Sequence, residues 1–513
     1  MASAKTTGSG SYTPHLIVPF QASMISHTTV NKNLRLAVLL PDGVGFRNFV
    51  FGPFLREAAA EAEVHLFQLR DEQPLPDLAS SVTDRLSWHK LIPFTERPAP
   101  FILRQTLMSA YMHWVNTPPM HLALNRTFGG SLRRRAAMSF SRWMGRAAAS
   151  PTRMDWVDRA HRATLSRSEE VAHYRRVFSE IKPDVIFSSN QGPLFILAPI
   201  LAAQQLGIPT ATFIFSWDNL SSKGRILAPF DHFLLWSDQM RRELHRFYPS
   251  VQRERTHVIG TPQFDPYADK SLIWSRAEFS RRIGADPARK IICYSGGDEE
   301  TSKADPYHVR ALMELIRSGK IEGRPQVLLR PAPIDRGARY EGVRRDFPEL
   351  IYAQPQWIHH KSAFDGFYGL MPSSEDVRFL CNLTHHADLN VNFASTMTLD
   401  FAIHDKPVIN VVFEVTTPPL FGTSMWEFVR GFEHYDPVVE LGAARFAHTV
   451  DQLAEHVNAY LADPSLDREG RRQFVELEVG APIGESSNRI VQVLEAIGRG
   501  STPMVSDRRA IPA

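Results

Sequence analysis

The sequence predicts an α/β fold made of two Rossmann-like domains. Short apolar runs rich in β-branched residues alternate with amphipathic segments, at the spacing of strand–helix–strand units, in both halves of the chain. The chain has 513 residues, which is more than one hydrophobic core usually holds. Because strands joined by helical crossovers run parallel, we expect one parallel sheet in each domain.

The first domain is predicted at 31–265. Its opening strand, Leu34–Leu40, is a continuous apolar run, and Pro41 and Gly43 break it sharply. The turn that follows has the residues Asp42–Gly45, and it lacks the third glycine of a dinucleotide-binding fingerprint. Arg47 and Asn48 start the next helix and could line a cleft. Further strands are predicted at 63–69, 182–189, 208–215, 233–236 and around 258.

A basic helical insertion is predicted at about 75–175, where the strand–helix alternation is lost. The segment 126–176 carries twelve arginines against four acidic residues. A helical wheel of 132–146 places the large apolar residues on one face: Leu132, Ala136, Phe140, Trp143 and Met144. Two interpretations remain open. The helix lies on an anionic membrane surface, or it packs on the first domain with its basic face in solvent.

The second domain is predicted at 266–440, and helices follow at 441–500. Its first strand, 290–295, runs into Ser295, Gly296 and Gly297, and glycines there let the backbone approach a phosphate or sugar closely. The strand 326–330 ends at Arg330, a candidate phosphate ligand. The last helix is expected to cross back to the first domain. The two termini, 1–30 and 501–513, are expected to be disordered.

The stretch 388–412 is the most informative part of the second domain. It predicts a strand, a polar turn at 394–396, a helix to about His404 and another strand. Ser395, Thr396 and Thr398 surround the start of this helix, where free N–H groups attract a phosphate. Asp400 follows one turn later, within reach of sugar hydroxyls. A capped helix of any α/β protein would have the same pattern, so that interpretation stays open.

Ser395-Thr396, Asp400 and the following Lys-Pro-Val-Ile resemble the nucleotide-sugar end of GT-B glycosyltransferases. The similarity extends to surface and capsular polysaccharide transferases and to CDP-glycerol glycerophosphotransferase-like enzymes. It covers roughly 31–70 and 180–497. It implies two domains facing a cleft, diphosphate at the turn, ribose at Asp400, and neither metal nor cofactor beyond the nucleotide-sugar substrate. Asn392 stands where the commonest retaining enzymes have Glu, which favours an inverting enzyme.

An inverting transferase needs a general base on the acceptor side of the cleft. Asp218 is the first candidate because it lies in the polar loop 216–224, directly after a buried strand. Asp42 and Glu299 are the alternatives. An Asx-turn or a helix cap would also account for Asp218. Lys223, in the same loop, is expected either to contact a phosphate or the acceptor or to lie in solvent.

Composition narrows the class of protein. The net charge of +3 is too small for bulk nucleic-acid binding. The two cysteines, Cys293 and Cys381, suggest a reducing cytoplasm, and no apolar run is long enough to span a bilayer. We therefore expect a glycosyltransferase of surface polysaccharide synthesis, acting on a glycan or lipid-linked acceptor, cytoplasmic or peripheral on the inner membrane face. A nucleotide-sugar 2-epimerase, a polyol-phosphate transferase and a noncatalytic GT-B-like binding protein are the alternatives.

Overall fold

The computed structural model describes residues 34–69, 80–93, 96–125, 131–359 and 366–503. They form two α/β domains, each built on one parallel sheet, which confirms the predicted fold class. The expected disorder at 1–30 and in most of 501–513 concerns residues outside this description. The described residues contain no helix long and apolar enough to cross a membrane.

The first sheet has seven parallel strands in the order β3-β2-β1-β4-β5-β6-β7. The central strand β1 pairs with β2 on one side and with β4 on the other. The strand order therefore reverses at β1, although all strands stay parallel. The strands are β1 Leu34–Leu40, β2 Ala62–Gln68, β3 Leu86–Lys90, β4 Val185–Ser188, β5 Thr210–Phe213, β6 His232–Leu235 and β7 Thr256–Val258.

Helices cover both faces of this sheet and form the insertion. They are α1 Gly43–Phe49, α2 Phe54–Glu61, α3 Ser80–Thr83, α4 Pro98–Val115, α5 Pro118–Asn125, α6 Leu132–Ala147, α7 Pro151–Leu165, α8 Glu169–Ile181, α9 Leu197–Leu206, α10 Asn219–Ser222, α11 Asp238–Phe247 and α12 Asp265–Ala268.

The second domain contains a six-stranded parallel sheet, in the order β10-β9-β8-β13-β14-β15, and a small antiparallel hairpin, β11-β12. The strands are β8 Ile291–Ser295, β9 Gln326–Arg330, β10 Ile351–Tyr352, β11 Trp357–His359, β12 Leu370–Pro372, β13 Leu389–Asn392, β14 Val408–Val411 and β15 Arg445–Ala447.

Ten α-helices complete the second domain and the C-terminal region of the described chain. They are α13 Arg276–Ile283, α14 Asp305–Arg317, α15 Glu341–Asp346, α16 Ser374–His386, α17 Met397–Ile403, α18 Met425–Arg430, α19 Asp436–Glu440, α20 Val450–Ala462, α21 Arg468–Val479 and α22 Ser486–Gly498. Short 3₁₀ turns lie at Leu194–Ile196, Arg253–Arg255, Pro262–Phe264, Lys270–Leu272, Ala338–Tyr340, Gly366–Gly369 and Glu433–Tyr435.

One strand lies where the sequence predicted only helices. Strand β3, Leu86–Lys90, is inside the predicted insertion and extends the first sheet by pairing with β2. Its residues are Leu-Ser-Trp-His-Lys, in which only Leu86 and Trp88 alternate with polar residues, a pattern too short to predict a strand by itself. Its pairing therefore depends on the neighbouring strand, and the long helices of the insertion begin at Pro98, after the short helix α3 and strand β3.

The last helix connects the two domains. Helix α22 packs against α2, β1 and β4 of the first domain. Asp265 fixes its start, because its carboxylate accepts the backbone N–H groups of Ser486 at 3.1 Å and Ser487 at 2.7 Å. Gly498 then lies so close to Leu34 that a Cβ there would come within 2.8 Å of its Cδ1. These contacts attach the C-terminal helix to the first domain.

Candidate active site in the interdomain cleft

The loops at the carboxyl ends of both sheets meet in a cleft. After β1, Gly43 lies against β12, and a Cβ added to it would overlap the carbonyl oxygen of Leu370. After β5, the ring of Trp217 lies 5.9 Å from that of Tyr435 in the second domain. The crevice beyond the carboxyl ends of parallel strands is where open α/β sheets bind ligands. The cleft is therefore the candidate site.

The turn at 394–396 is shaped by two buried asparagines. Ala394 has a left-handed backbone, with φ of 44°, and its N–H donates to Asn410 Oδ1 at 2.9 Å. The N–H of Ser395 donates to Asn392 Oδ1 at 2.8 Å. Asn392, which stands at the position of the retaining-type Glu, thus supports the turn. Ser395 Oγ accepts the N–H of Met397 at 3.3 Å, whereas exposed Thr396 makes no capping bond.

Two of the predicted ligand-binding residues lie beneath this turn and are buried. Thr398 Oγ1 lies 2.7 Å from the hydroxyl of Tyr435, which donates onward to Asn410 Oδ1 at 2.8 Å. Ser295 Oγ accepts Asn390 Nδ2 at 2.8 Å. Because these hydroxyls are already bonded inside the domain, the structure places Thr398 and Ser295 as supports of the turn.

Asp400 takes part in a chain of polar contacts that crosses the cleft. Its Oδ1 accepts the hydroxyl of Tyr267 at 2.5 Å, and Gln263 also bonds to the carboxylate. Gln263 Oε1 accepts Arg47 Nη2 at 2.8 Å, which brings in the first domain. Burial raises the pKa of Asp400, and the bonds from Tyr267 and Gln263 and the charge of Arg47 partly offset it.

Arg47 is the cation at the centre of this chain. Burial lowers the pKa of its guanidinium, while the nearby Asp400, Tyr267 and Asp376 act in the opposite direction. Its Nε also donates to Asn48 Oδ1 at 3.0 Å. The sequence analysis placed Arg47 and Asn48 only as possible cleft residues, and the structure places Arg47 between the two domains.

Arg330 is paired inside the second domain. Its Nη2 donates to both oxygens of Asp376, at 3.0 and 2.9 Å, and its guanidinium lies 5.2 Å from the ring of Phe379. Asp376 also accepts Trp357 Nε1 at 2.8 Å. Both members of this ion pair are buried. Arg330 therefore already has Asp376 as its counter-ion, and a phosphate bound there would share the Arg330 guanidinium with Asp376.

Close packing accounts for the two glycines after β8. A Cβ on Gly296 would overlap the hydroxyl of Tyr340, and one on Gly297 would overlap Ser302 Oγ. The N–H of Gly297 donates to Asp305 Oδ2 at 2.8 Å. Burial raises the pKa of Asp305 to about 6, although Arg339 opposes the shift. The glycine loop is thus tied to a polar cluster beneath it.

Glu299 lies apart from the other two base candidates. It is exposed and lines an open depression of about 390 Å³, together with Lys303, Arg310 and Arg339. Every residue that lines this depression belongs to the second domain. The structure therefore does not bring Glu299 together with Asp42 or Asp218.

Asp42 caps helix α1. Its Oδ1 accepts the N–H of Gly45 at 2.8 Å, and its Oδ2 accepts Asn190 Nδ2 at 2.8 Å. Burial raises the pKa of Asp42, and these two bonds only partly offset the effect. Both carboxylate oxygens of Asp42 therefore accept hydrogen bonds that hold the first domain together.

Asp218 has a different environment. It immediately precedes α10, but its side chain makes no capping bond to that helix. Its oxygens accept Asn219 Nδ2 and Ser222 Oγ, each at 3.1 Å, and Lys223 Nζ lies 3.6 Å away. Burial would raise the pKa of Asp218, but Lys223, His434 and hydrogen bonds from Ser216 and Ser222 together lower it to about 2.

Both the insertion and the second domain hold the Asp218 loop. From the insertion, the hydroxyl of Tyr111 in α4 donates to Leu220 O at 3.4 Å, and Thr117 Oγ1, just after α4, donates to Ser221 O at 3.1 Å. From the other side of the cleft, His434 Nδ1 lies 3.5 Å from Ser221 Oγ. The loop therefore lies at a junction of three parts of the molecule.

The architecture was compared with known proteins. No family model matches the sequence, and the curated proteins contain no match to it. Among solved structures, Staphylococcus aureus MnaA with UDP superposes with a TM-score of 0.52 at 12% identity, over 93% of this chain and 100% of that one. A UDP-N-acetylglucosamine 2-epimerase gives a TM-score of 0.51 at 12% identity, over 94% and 100% of the two chains. The protein has the GT-B fold. At such low identity the similarity establishes the fold and nothing about the reaction.

Several residues of this GT-B cleft were not among the predicted ones. Tyr267 and Gln263 lie at the domain boundary, and His434 and Tyr435 lie in a 3₁₀ turn after α18. Asp376 lies in the first turn of α16, after the capping Ser373, where an acidic residue is ordinary. No local signal distinguishes these residues, because their partners are far away along the chain.

Within the ranges that the structure describes, His, Cys, Asp and Glu side chains nowhere gather in the group of three or more that would hold a metal ion. Metal independence remains a prediction of the family resemblance.

Proposed function

We propose that this GT-B protein is a glycosyltransferase that moves a sugar from a nucleotide-activated donor to a glycan or lipid-linked acceptor in surface polysaccharide synthesis. The observation that carries the proposal is the polar chain across the cleft, from Arg47 through Gln263 to Asp400 with Tyr267. A cation and a carboxylate held in one crevice fit a ligand with both phosphate charge and sugar hydroxyls. We propose a cytoplasmic enzyme at the inner face of the plasma membrane.

The donor would bind mainly to the second domain. The partly exposed turn at Ser395 and the exposed Thr396 would face the diphosphate, with Arg47 and Arg330 supplying positive charge. Asp400 would accept ribose hydroxyls in place of the Tyr267 hydroxyl. Thr398 and the loop at 295–297 would hold the turn in shape. The nucleotide sugar is a substrate in this scheme, and no separate cofactor takes part.

The proposed reaction is an inverting transfer with Asp218 as general base. Its low pKa keeps the carboxylate charged at neutral pH but makes it a weak proton acceptor while Lys223 is close. The Lys223 side chain is 63% exposed and free to move toward an incoming phosphate or acceptor. Its departure would raise the pKa of Asp218, so that substrate binding would activate the base.

The first experiment measures both donor binding and transfer. Calorimetry with UDP, CDP and GDP would identify the nucleotide, and the matching radiolabelled nucleotide sugar would then be incubated with a bacterial lipid extract. We expect label to appear in the lipid fraction and nucleoside diphosphate to be released in equal amount. Binding without any transfer would favour a noncatalytic GT-B-like protein. Transfer of a polyol phosphate from a CDP-polyol would identify a polyol-phosphate transferase.

A 2-epimerase is the second candidate, because four carboxylates lie along the cleft: Asp42, Asp218, Asp376 and Asp400. Acid–base chemistry on a bound nucleotide sugar needs such groups and no acceptor. NMR of UDP-N-acetylglucosamine in deuterated buffer, without acceptor, would separate the two reactions. Deuterium incorporation at C2 with formation of the epimer would establish the epimerase, whereas a transferase leaves C2 unlabelled.

A further inference from the structure

Helix α6 exposes the large apolar side chains that the helical wheel placed on one face. Leu132 is 80% exposed, Phe140 51% and Trp143 67%, and Met144 lies beside them at 37%. The rings of Phe140 and Trp143 lie 6.2 Å apart on the outside of the helix. The described part of the protein leaves half or more of the surface of Leu132, Phe140 and Trp143 uncovered, so most of this α6 face has no partner within it.

The opposite face of α6 makes the contact with the protein. It consists of small residues: Ser141 and Gly145 are buried. Ser141 Oγ donates to Ile102 O at 3.3 Å, and a Cβ added to Gly145 would overlap Ser109 of α4. Small residues let the two helices approach closely. Helix α6 thus packs on α4 through its small residues and keeps its arginines in solvent, as one of the two interpretations expected, while its large apolar side chains are also exposed.

The charge around the exposed α6 face is positive. Arg133, Arg134 and Arg135 are all exposed, and α6 contains no acidic residue. Aromatic and aliphatic side chains beside arginines fit an anionic lipid surface, where the rings enter the headgroup region and the arginines meet phosphates. A second copy of the chain would instead bring like charges together.

The insertion also supports the Asp218 loop. Helix α4, on which α6 packs, bonds to that loop through Tyr111, and its Met108 lies against Gly224. One helix therefore separates the exposed α6 face from the acceptor side of the cleft. A surface in contact with a bilayer at this place would present a lipid-linked acceptor to Asp218 over a short distance.

We propose that the exposed face of α6 docks the protein on an anionic bilayer and brings a membrane-borne acceptor to the Asp218 loop. The second half of this statement rests on the proposed transferase function. The first half concerns membrane binding alone and is tested separately from catalysis and donor binding.

The test is vesicle flotation with the full-length protein. Vesicles of equal parts phosphatidylglycerol and phosphatidylcholine are compared with vesicles of phosphatidylcholine alone. The variants are Phe140→Ser with Trp143→Ser, and Arg133→Glu with Arg134→Glu and Arg135→Glu. Tyr307→Ser is the matched control, since Tyr307 is a 53% exposed aromatic residue of the second domain. Thermal melting checks that each variant is folded, and light scattering gives its mass.

We expect the unmodified protein and the Tyr307 control to float with anionic vesicles, and both α6 variants to partition at least about tenfold less. Calorimetric nucleotide affinity should stay unchanged in all of them. Equal flotation of the folded variants, or no flotation of the unmodified protein, would overturn the docking proposal whatever the donor assay shows. A dimer that dissociates on Trp143→Ser would also overturn it, because a second copy would then cover the face. Intact flotation without nucleotide binding would reject only the transferase.

Discussion

Asp218 and Asp400 are carboxylates on opposite sides of one cleft, and their surroundings differ. Asp400 is buried beside a hydroxyl and an amide, so burial raises its pKa. Asp218 lies next to Lys223 and two serines, which outweigh burial and lower its pKa to about 2. The topology of the sheets places both acidic residues in the cleft, whereas the neighbours of each carboxylate decide its basicity. The lowered pKa keeps Asp218 charged at neutral pH, whereas Asp400 is held by hydrogen bonds from Tyr267 and Gln263.

The largest effect is expected from Asp218→Asn. Removing a general base lowers turnover by about 10²–10⁴ without weakening donor binding. Turnover and nucleotide affinity are measured on the same preparation, and Asp238→Asn, at a side chain 62% exposed on α11, serves as the control. Turnover within about tenfold of the unmodified enzyme would remove Asp218 as the base and turn attention to Asp42, then Glu299. A joint fall in turnover and affinity would mean that Asp218 only holds its loop.

Asp400→Ala should lower nucleotide affinity by about tenfold or more, since a charge-assisted hydrogen bond is worth roughly 1.5–3 kcal/mol. Calorimetry is the measurement. Tyr267→Phe removes the competing hydroxyl while leaving the carboxylate, so its affinity should not fall. Asp451→Ala, at a side chain 82% exposed, is the control for loss of a carboxylate. Unchanged binding to folded Asp400→Ala would exclude Asp400 from the donor site.

Lys223→Met tests what sets the basicity of Asp218. Loss of the ammonium group should raise the pKa of Asp218 from about 2 toward its ordinary value of 3.8, so the acidic limb of the pH–rate profile moves to higher pH. The same shift in pKa determines how the stability of the fold changes with pH. Because the folded pKa is lowered, the stabilisation by Asp218 is present above pH 3.8 and is lost as pH falls toward 2.

The free energy of unfolding of Lys223→Met and of the unmodified protein, measured as the pH is lowered, is therefore an independent test. The variant should lose less stability than the unmodified protein between pH 3.8 and 2. If the acidic limb and the acid titration are both unaltered, Lys223 is not what lowers the pKa.

The smallest effect is expected from Tyr435→Phe. It removes the hydroxyl that joins Thr398 and Asn410 beneath the turn and should destabilise the fold by about 1–3 kcal/mol. Urea unfolding measures the change, and Tyr307→Phe on the surface is the control. Nucleotide affinity should fall only slightly, because Asn392 and Asn410 still hold the backbone of the turn. A large loss of affinity with normal stability would instead place the Tyr435 hydroxyl in contact with the donor.

Hydrophobic periodicity alone located most strands of the two parallel sheets. The run Leu34–Leu40 was predicted with the bounds that the structure shows, and the turn between β13 and α17 lies where expected. These features follow from local spacing, since the same residues that form an element also carry its pattern. The presence of Asp218 and Asp400 in one cleft followed from the parallel topology.

Tertiary structure alone decided the rest. The wheel of α6 showed which residues share a face, but only packing showed that Ser141 and Gly145 face the protein while Trp143 faces outward. Strand β3 exists because β2 offers it an edge. The pKa of Asp218 depends on His434, and the burial of Asp400 depends on Tyr267, both distant along the chain. Interaction energies depend on separation in space, and a sequence pattern reports only separation along the chain.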